Sequence, residues 1–233
     1  MFFFDPYYLI FMAPAFLLML AVQFYVSSSY SKWSQVPSRL RINGAQAAAQ
    51  LIRYTGLYNV RVEGVHGHLT DHYDPRDKTL RLSESVYGSA SVAALAVAAH
   101  ELGHALQDHE GYAPLKLRAA LVPAVNIGSY LGWILLMIGL LLQSSQIAWL
   151  GVIVFSGGAI FALATLPVEF NASARARRLL LESGLISTEE ELRGVNQVLN
   201  AAALTYVAAL VTAVLQLLYY ATLVLGMSDR RRE

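Results

Sequence analysis

The residues best suited to chemistry form one short stretch: Ala98, Ala99, His100, Glu101, Leu102, Gly103, His104 and Ala105. On a helix, positions four apart lie one turn above each other, so His100 and His104 project from a single face. Two imidazoles so placed can reach one zinc ion. Glu101 beside them is placed to take a proton from a water in the metal's open position. The surroundings favour a helix: Ser91 is a suitable N-cap, and residues 92–107 hold many alanines and no proline. The run is apolar nearly all the way round, the pattern of a buried helix. Two histidines and a carboxylate inside it are costly unless something pairs with them, and a metal does so.

Catalytic zinc sites usually carry three protein ligands, so one is still to be found. His109 lies five residues past His104, about 140° round a helix, and faces elsewhere. Asp108 shares the histidine face, but three ligands stacked on one helix cannot surround a metal tetrahedrally. His66, His68 and His72 lie upstream in a segment that reads as extended. Glu169 is the best candidate: it follows an apolar segment directly and opens what reads as a second helical run. A lone carboxylate there needs a reason.

The elements that must position these residues follow from composition. The chain has 233 residues, 56% hydrophobic and 14% charged, far less charge than the ~25% of an average soluble domain, which points to a membrane protein. A net charge of +1 gives no reason to expect a nucleic-acid partner. With no cysteine, disulfides and thiolate ligands are excluded, and a zinc site must use His, Glu or Asp. Four apolar runs, 6–26, 119–142, 147–168 and 199–226, are long enough to span the ~30 Å hydrocarbon core. The first reads as a retained anchor, since no Lys or Arg precedes it as in a signal peptide. The expected divisions are an N-terminal anchor (1–30), a segment carrying the two histidines (31–118), a transmembrane hairpin (119–168), a second polar segment with Glu169 (169–198), and a fourth span with a basic tail (199–233).

Between the first and second runs, Asn43 caps an expected helix over 44–54 that Gly56 ends. Residues 60–65 and 78–82 alternate as two strands, with a turn at Asp74, Pro75, Arg76 and Asp77. The edge of such a strand pair can receive an extended peptide, or the sheet can simply brace the helix. A hairpin of two spans returns the chain to the side it left, so the histidines and Glu169 are expected on one side. All but three of the 17 Lys and Arg fall on that side, which makes it cytoplasmic by the positive-inside rule. The three exceptions, Arg230, Arg231 and Arg232, follow the fourth span and argue the other way.

Four blocks together carry a resemblance. They are Asp71-His72-Tyr73-Asp74-Pro75-Arg76, Leu82 to Tyr87, Ala98 to Gln107, and Pro167-Val168-Glu169-Phe170-Asn171-Ala172-Ser173. In this order they resemble the YugP-like family of bacterial membrane zinc metallopeptidases, over nearly the whole chain. The resemblance implies that His100 and His104 are zinc ligands and Glu101 the catalytic carboxylate. Glu169 matches the ligand glutamate of gluzincin-type membrane proteases. One position departs from that wider group: Ser173 stands where an aspartate often follows the glutamate by four residues. A serine can still accept an imidazole N–H, without charge.

The expected fold is therefore mainly α, with multi-span membrane helices and a gluzincin-like core, an active-site helix plus a small β-sheet, on the cytoplasmic side. The expected function is a zinc endopeptidase of the bacterial inner membrane. Its cofactor is Zn2+ held by His100, His104 and Glu169, with Glu101 as general base. Arg175, His72 and Tyr73 remain open as oxyanion supports. The expected partners are a protein or peptide substrate and the lipid bilayer, with a membrane-protein partner or a second copy left open. The rival, a zinc-stabilised membrane scaffold that cleaves nothing, has no use for Glu101. A transporter would need ionisable residues within the spans, and 119–142, 147–166 and 199–226 contain no Asp, Glu, Lys, Arg or His. Reporter fusions after Ser31 and after Ser183 should read cytoplasmic, and one within 143–146 external; an external signal from the first two would reverse the orientation.

Overall fold

The computed structural model describes residues 6–229, so the Arg230–Arg232 tail lies outside the described residues. The elements in chain order are α1 (Pro6–Ser34), α2 (Gly44–Thr55), β1 (Arg61–Val65), β2 (His72–Asp74), β3 (Thr79–Ser83), α3 (Glu84–Tyr87), α4 (Val92–His109), α5 (Ala113–Leu141), α6 (Ser145–Phe155), α7 (Gly157–Glu182) and α8 (Glu189–Asp229). The protein is mainly helical. Four stretches, Pro6–Ser34, Ala113–Leu141, Ser145–Glu182 and Glu189–Met227, are long and apolar enough to cross a membrane. The chain forms two compact units.

One unit comprises residues 23–115 and 167–204. Its centre is α4, whose Ala93, Ala94, Ala96, Ala98 and Ala99 are all fully buried. Alanine is the best helix former, and its small side chain lets neighbours close in on every side. Ser91 caps the helix, accepting from Ala94 N at 3.2 Å. A further free N–H of the first turn, that of Val92, donates to Val36 O at 2.9 Å and ties the strand-like link after α1 to α4. Helix α2 has the expected Asn43 cap, completed by Gln46 as a capping box, and ends at Gly56, whose φ of 73° suits glycine. Leu51, Leu80, Leu82, Leu95, Leu102 and Leu180 fill the core. Glu191 is buried and accepts from the backbone N–H groups of Arg39, Ser187 and Thr188, joining the start of α8 to the segment after α1.

The sheet has three strands in the order β1-β3-β2, with β1 parallel and β2 antiparallel to β3. Two strands were expected. The third, His72–Asp74, is too short for an alternating pattern to register. A second difference concerns Glu169, which was expected to open a helix. Instead α7 starts at Gly157 and runs unbroken through Pro167. Proline is tolerated within apolar, membrane-type helices far better than in water-exposed ones.

Among the described residues, the other unit comprises 6–22, 116–166 and 205–229. Here α5 and α6 form a hairpin whose backbones touch through glycine. A Cβ on Gly151 would lie 2.4 Å from Leu136 N, and one on Gly139 would lie 2.3 Å from Ala148 N. Such small-residue contacts are how helices pack in lipid, where no hydrophobic force drives them together. Tyr8 meets Tyr219, and Phe155 meets Tyr220, both edge-to-face. Ile10, Phe16, Ile127, Leu141 and Ile153 point outward, an apolar surface far larger than water permits. Gly151→Val should destabilise the protein by about 1–3 kcal/mol through backbone collision, outweighing the roughly few tenths of a kcal/mol of helix propensity that valine gains over glycine. Thermal unfolding in detergent micelles checks this, and an unchanged midpoint would contradict the packing.

Candidate metal centre

The structure brings His100 and His104 on α4 together with Glu169 on α7, in the first of the two units. One donor atom from each lies within 4.8 Å of the others. His100 Nε2 is 3.3 Å from Glu169 Oε2, and His104 Nε2 is 3.5 Å from the same oxygen. Zinc bonds of about 2.0–2.1 Å at tetrahedral angles would space their donors about 3.3–3.4 Å apart. Two imidazoles and one carboxylate are also a donor set that suits Zn2+. Both histidine–carboxylate spacings and the chemistry of the donors therefore fit the metal.

The convergence depends on how closely α4 and α7 approach. A Cβ on Gly103 would lie 2.7 Å from Ala172 O, so the two backbones meet where a side chain cannot fit. Glu169, three residues before Ala172, is thereby carried to the histidine face. It is 1% exposed. An ionised carboxylate so buried needs a positive partner close by.

The far nitrogens of both imidazoles are held from behind. Ser173 Oγ lies 3.2 Å from His100 Nδ1, so the serine stands behind this histidine despite having no charge. Gln107 Oε1 lies 3.0 Å from His104 Nδ1. Burial opposes a charge on His104, yet the carboxylates of Glu169 and Glu101 beside it raise its pKa. A proton or a metal cation is thus favoured between this imidazole and Glu169. Glu101 is 9% exposed and is not among the three converging donors, although its charge reaches His104.

The remaining candidates have other contacts. Arg175 makes a two-pronged pair with Glu110, at 2.8 and 2.7 Å, and its Nε donates to Asn171 Oδ1 at 2.7 Å. That pair holds the Glu110 carboxyl below its ordinary pKa. Tyr73 OH donates to Asp108 Oδ2 at 2.8 Å, and burial together with this bond pushes the phenol's pKa up. His72 Nδ1 faces Thr70 O, His66 pairs with Glu84, and the His68 ring packs on Tyr30. None of these three joins the metal cluster found among the described residues. Gln107 and Asn171 were not anticipated as part of the site. The available signal was a glutamine one turn beyond a zinc-type histidine in an otherwise apolar helix, where its amide must find partners.

The chain thus carries four stretches of membrane-spanning length and a two-histidine, one-glutamate cluster able to hold a metal ion. The chain belongs to the family described as "Putative neutral zinc metallopeptidase", whose profile matches residues 8–225. It is 46% identical over 207 residues to the protein named "Putative membrane protease YugP" of Bacillus subtilis (strain 168), covering 89% of this chain and 92% of that one. No solved structure gives a significant match.

Gly103→Ala tests the close approach. The added Cβ meets a backbone carbonyl, so the helices must part or the chain must shift. Zinc affinity, read by competition with a chromophoric chelator, should fall on the order of tenfold or more, as when the surroundings of a metal site are disturbed. Wild-type affinity would show that the approach of α4 and α7 does not set the ligand geometry.

Proposed function

We propose that this protein is a zinc endopeptidase of the bacterial inner membrane, cleaving proteins or peptides at the bilayer surface. The observation that carries this is the convergence of His100 Nε2 and His104 Nε2 on Glu169 Oε2, with Glu101 adjacent but outside the donor set. Family membership and the printed name of the Bacillus relative support the same reading. His100, His104 and Glu169 would hold the metal, with a gluzincin-like arrangement of two ligands on one helix and the third on another. Zn2+ bound there supplies a Lewis acid, the chemistry that makes water nucleophilic near neutral pH and polarises a peptide carbonyl.

The rest of the reaction falls to the chain's own residues. Glu101 takes a proton from the attacking water as the water oxygen bonds to the carbonyl carbon. It then delivers that proton to the amide nitrogen as the C–N bond breaks, so water is added across the peptide bond and the carboxylate is regenerated. Burial of Glu101 keeps bulk water from competing for this transfer. Strand β2 is an edge strand, and its Tyr73 is tied to Asp108 on α4. An extended substrate pairing with that edge would lie alongside the active helix. The Lys and Arg asymmetry supports a cytoplasmic active site.

The decisive experiment compares three variants of the purified chain, measuring zinc content and casein hydrolysis together. Glu101→Gln should abolish hydrolysis and keep zinc near one equivalent. Glu169→Ala should lose both, whereas Glu182→Ala, on the same helix, should lose neither. Undiminished hydrolysis by Glu101→Gln would end the mechanism, and full zinc in Glu169→Ala would remove Glu169 from the ligand set.

A further inference from the structure

Gln107 is fully buried, and each of its amide atoms has a defined neighbour. Its Nε2 lies 2.8 Å from Val168 O and 2.9 Å from Asn171 Oδ1. A backbone carbonyl can only accept, so the nitrogen of the amide must face Val168 and the oxygen must face His104. That oxygen is an acceptor as well. His104 Nδ1 must therefore carry the hydrogen of the 3.0 Å contact, which leaves Nε2 to bind the metal as a neutral imidazole.

Asn171 is fixed in turn. Its Oδ1 also accepts from Arg175 Nε, and the other guanidinium nitrogens are clamped by Glu110. The order of donors and acceptors is thus determined from an exposed ion pair inward to the imidazole. His100 has no equivalent, because a serine hydroxyl can donate or accept and does not by itself choose a tautomer.

Resting on the zinc-site reading above, we infer that Gln107 is a positioning residue that locks His104 in its Nδ1–H tautomer, and that Asn171, anchored by the Arg175–Glu110 pair, locks Gln107. Gln107 joins α4 to α7 at both Val168 and Asn171, the two residues that bracket Glu169 by one and two positions. The same amide therefore sets the imidazole's proton and the placement of the opposing carboxylate.

The test measures zinc affinity of the full chain in detergent, by chelator competition, alongside thermal unfolding of the metal-free form. Gln107→Met, close in shape but without the amide, should bind zinc about 10–100-fold more weakly. Asn171→Leu should also weaken binding, whereas Asn171→Asp, which still accepts from Gln107 and Arg175, should stay near wild type. Because Asn171 acts through Gln107, the double variant Gln107→Met/Asn171→Leu should bind no more weakly than Gln107→Met alone. Additive losses would overturn the relay, as would equal affinities for Asn171→Leu and Asn171→Asp should Gln107→Met fail to fold. Gln107→Met binding as tightly as a zinc-loaded wild type would overturn the inference while leaving the metal site standing. A wild type that takes up no zinc would overturn both.

Discussion

The contact between Gly103 and the carbonyl of Ala172 is the constraint on which the rest of the centre depends. Two imidazoles on α4 define only one side of a cation site. The third donor must come from another element, and it must come within about 3.5 Å. Helices carrying ordinary side chains pack 8–10 Å apart between axes, and the small residues of α4 and α7 allow a closer meeting at this point. A glycine in a helix interior costs about 1 kcal/mol against alanine, a cost accepted where the backbone itself is the contact surface.

The alanine-rich composition of α4 has the same origin. A helix buried on every side must present little bulk, and Ala93, Ala94, Ala96, Ala98 and Ala99 leave room for α2, α3 and the sheet to close around it. Polar groups then enter this apolar setting only with partners. Ser173 and Gln107 stand behind the two histidines, while Asp108 is met by Tyr73 of β2 and by Lys78 in the turn before β3. The sheet is in this way anchored to the helix one turn beyond His104. Its edge strand and the helix face form one continuous structure.

In the unit that contains α5 and α6, the same small-residue principle operates for a different reason. Gly132, Gly139 and Gly151 let α5 and α6 touch through backbone atoms, and large apolar side chains turn outward. Water would drive such side chains inward, and a hydrocarbon environment does not. The pattern agrees with the four stretches whose length and composition allow a membrane crossing.

Spacing and composition alone determined a great deal. The i, i+4 histidines, the Ser91 and Asn43 caps, the Gly56 stop and the four apolar runs are all local or periodic signals, and the structure carries each of them. The sequence also singled out Glu169, because a carboxylate beside an apolar run is anomalous wherever it falls. Only the tertiary structure decided that Glu169 lies within a continuous helix and that its Oε2 meets both imidazoles. It also revealed a three-residue strand, too short for any periodicity, and joined Gln107 to Asn171 across 64 positions of chain. Helical periodicity relates residues within one turn or two. Which backbone a glycine touches, and which carbonyl orients a buried amide, depends on packing between segments that no local pattern encodes.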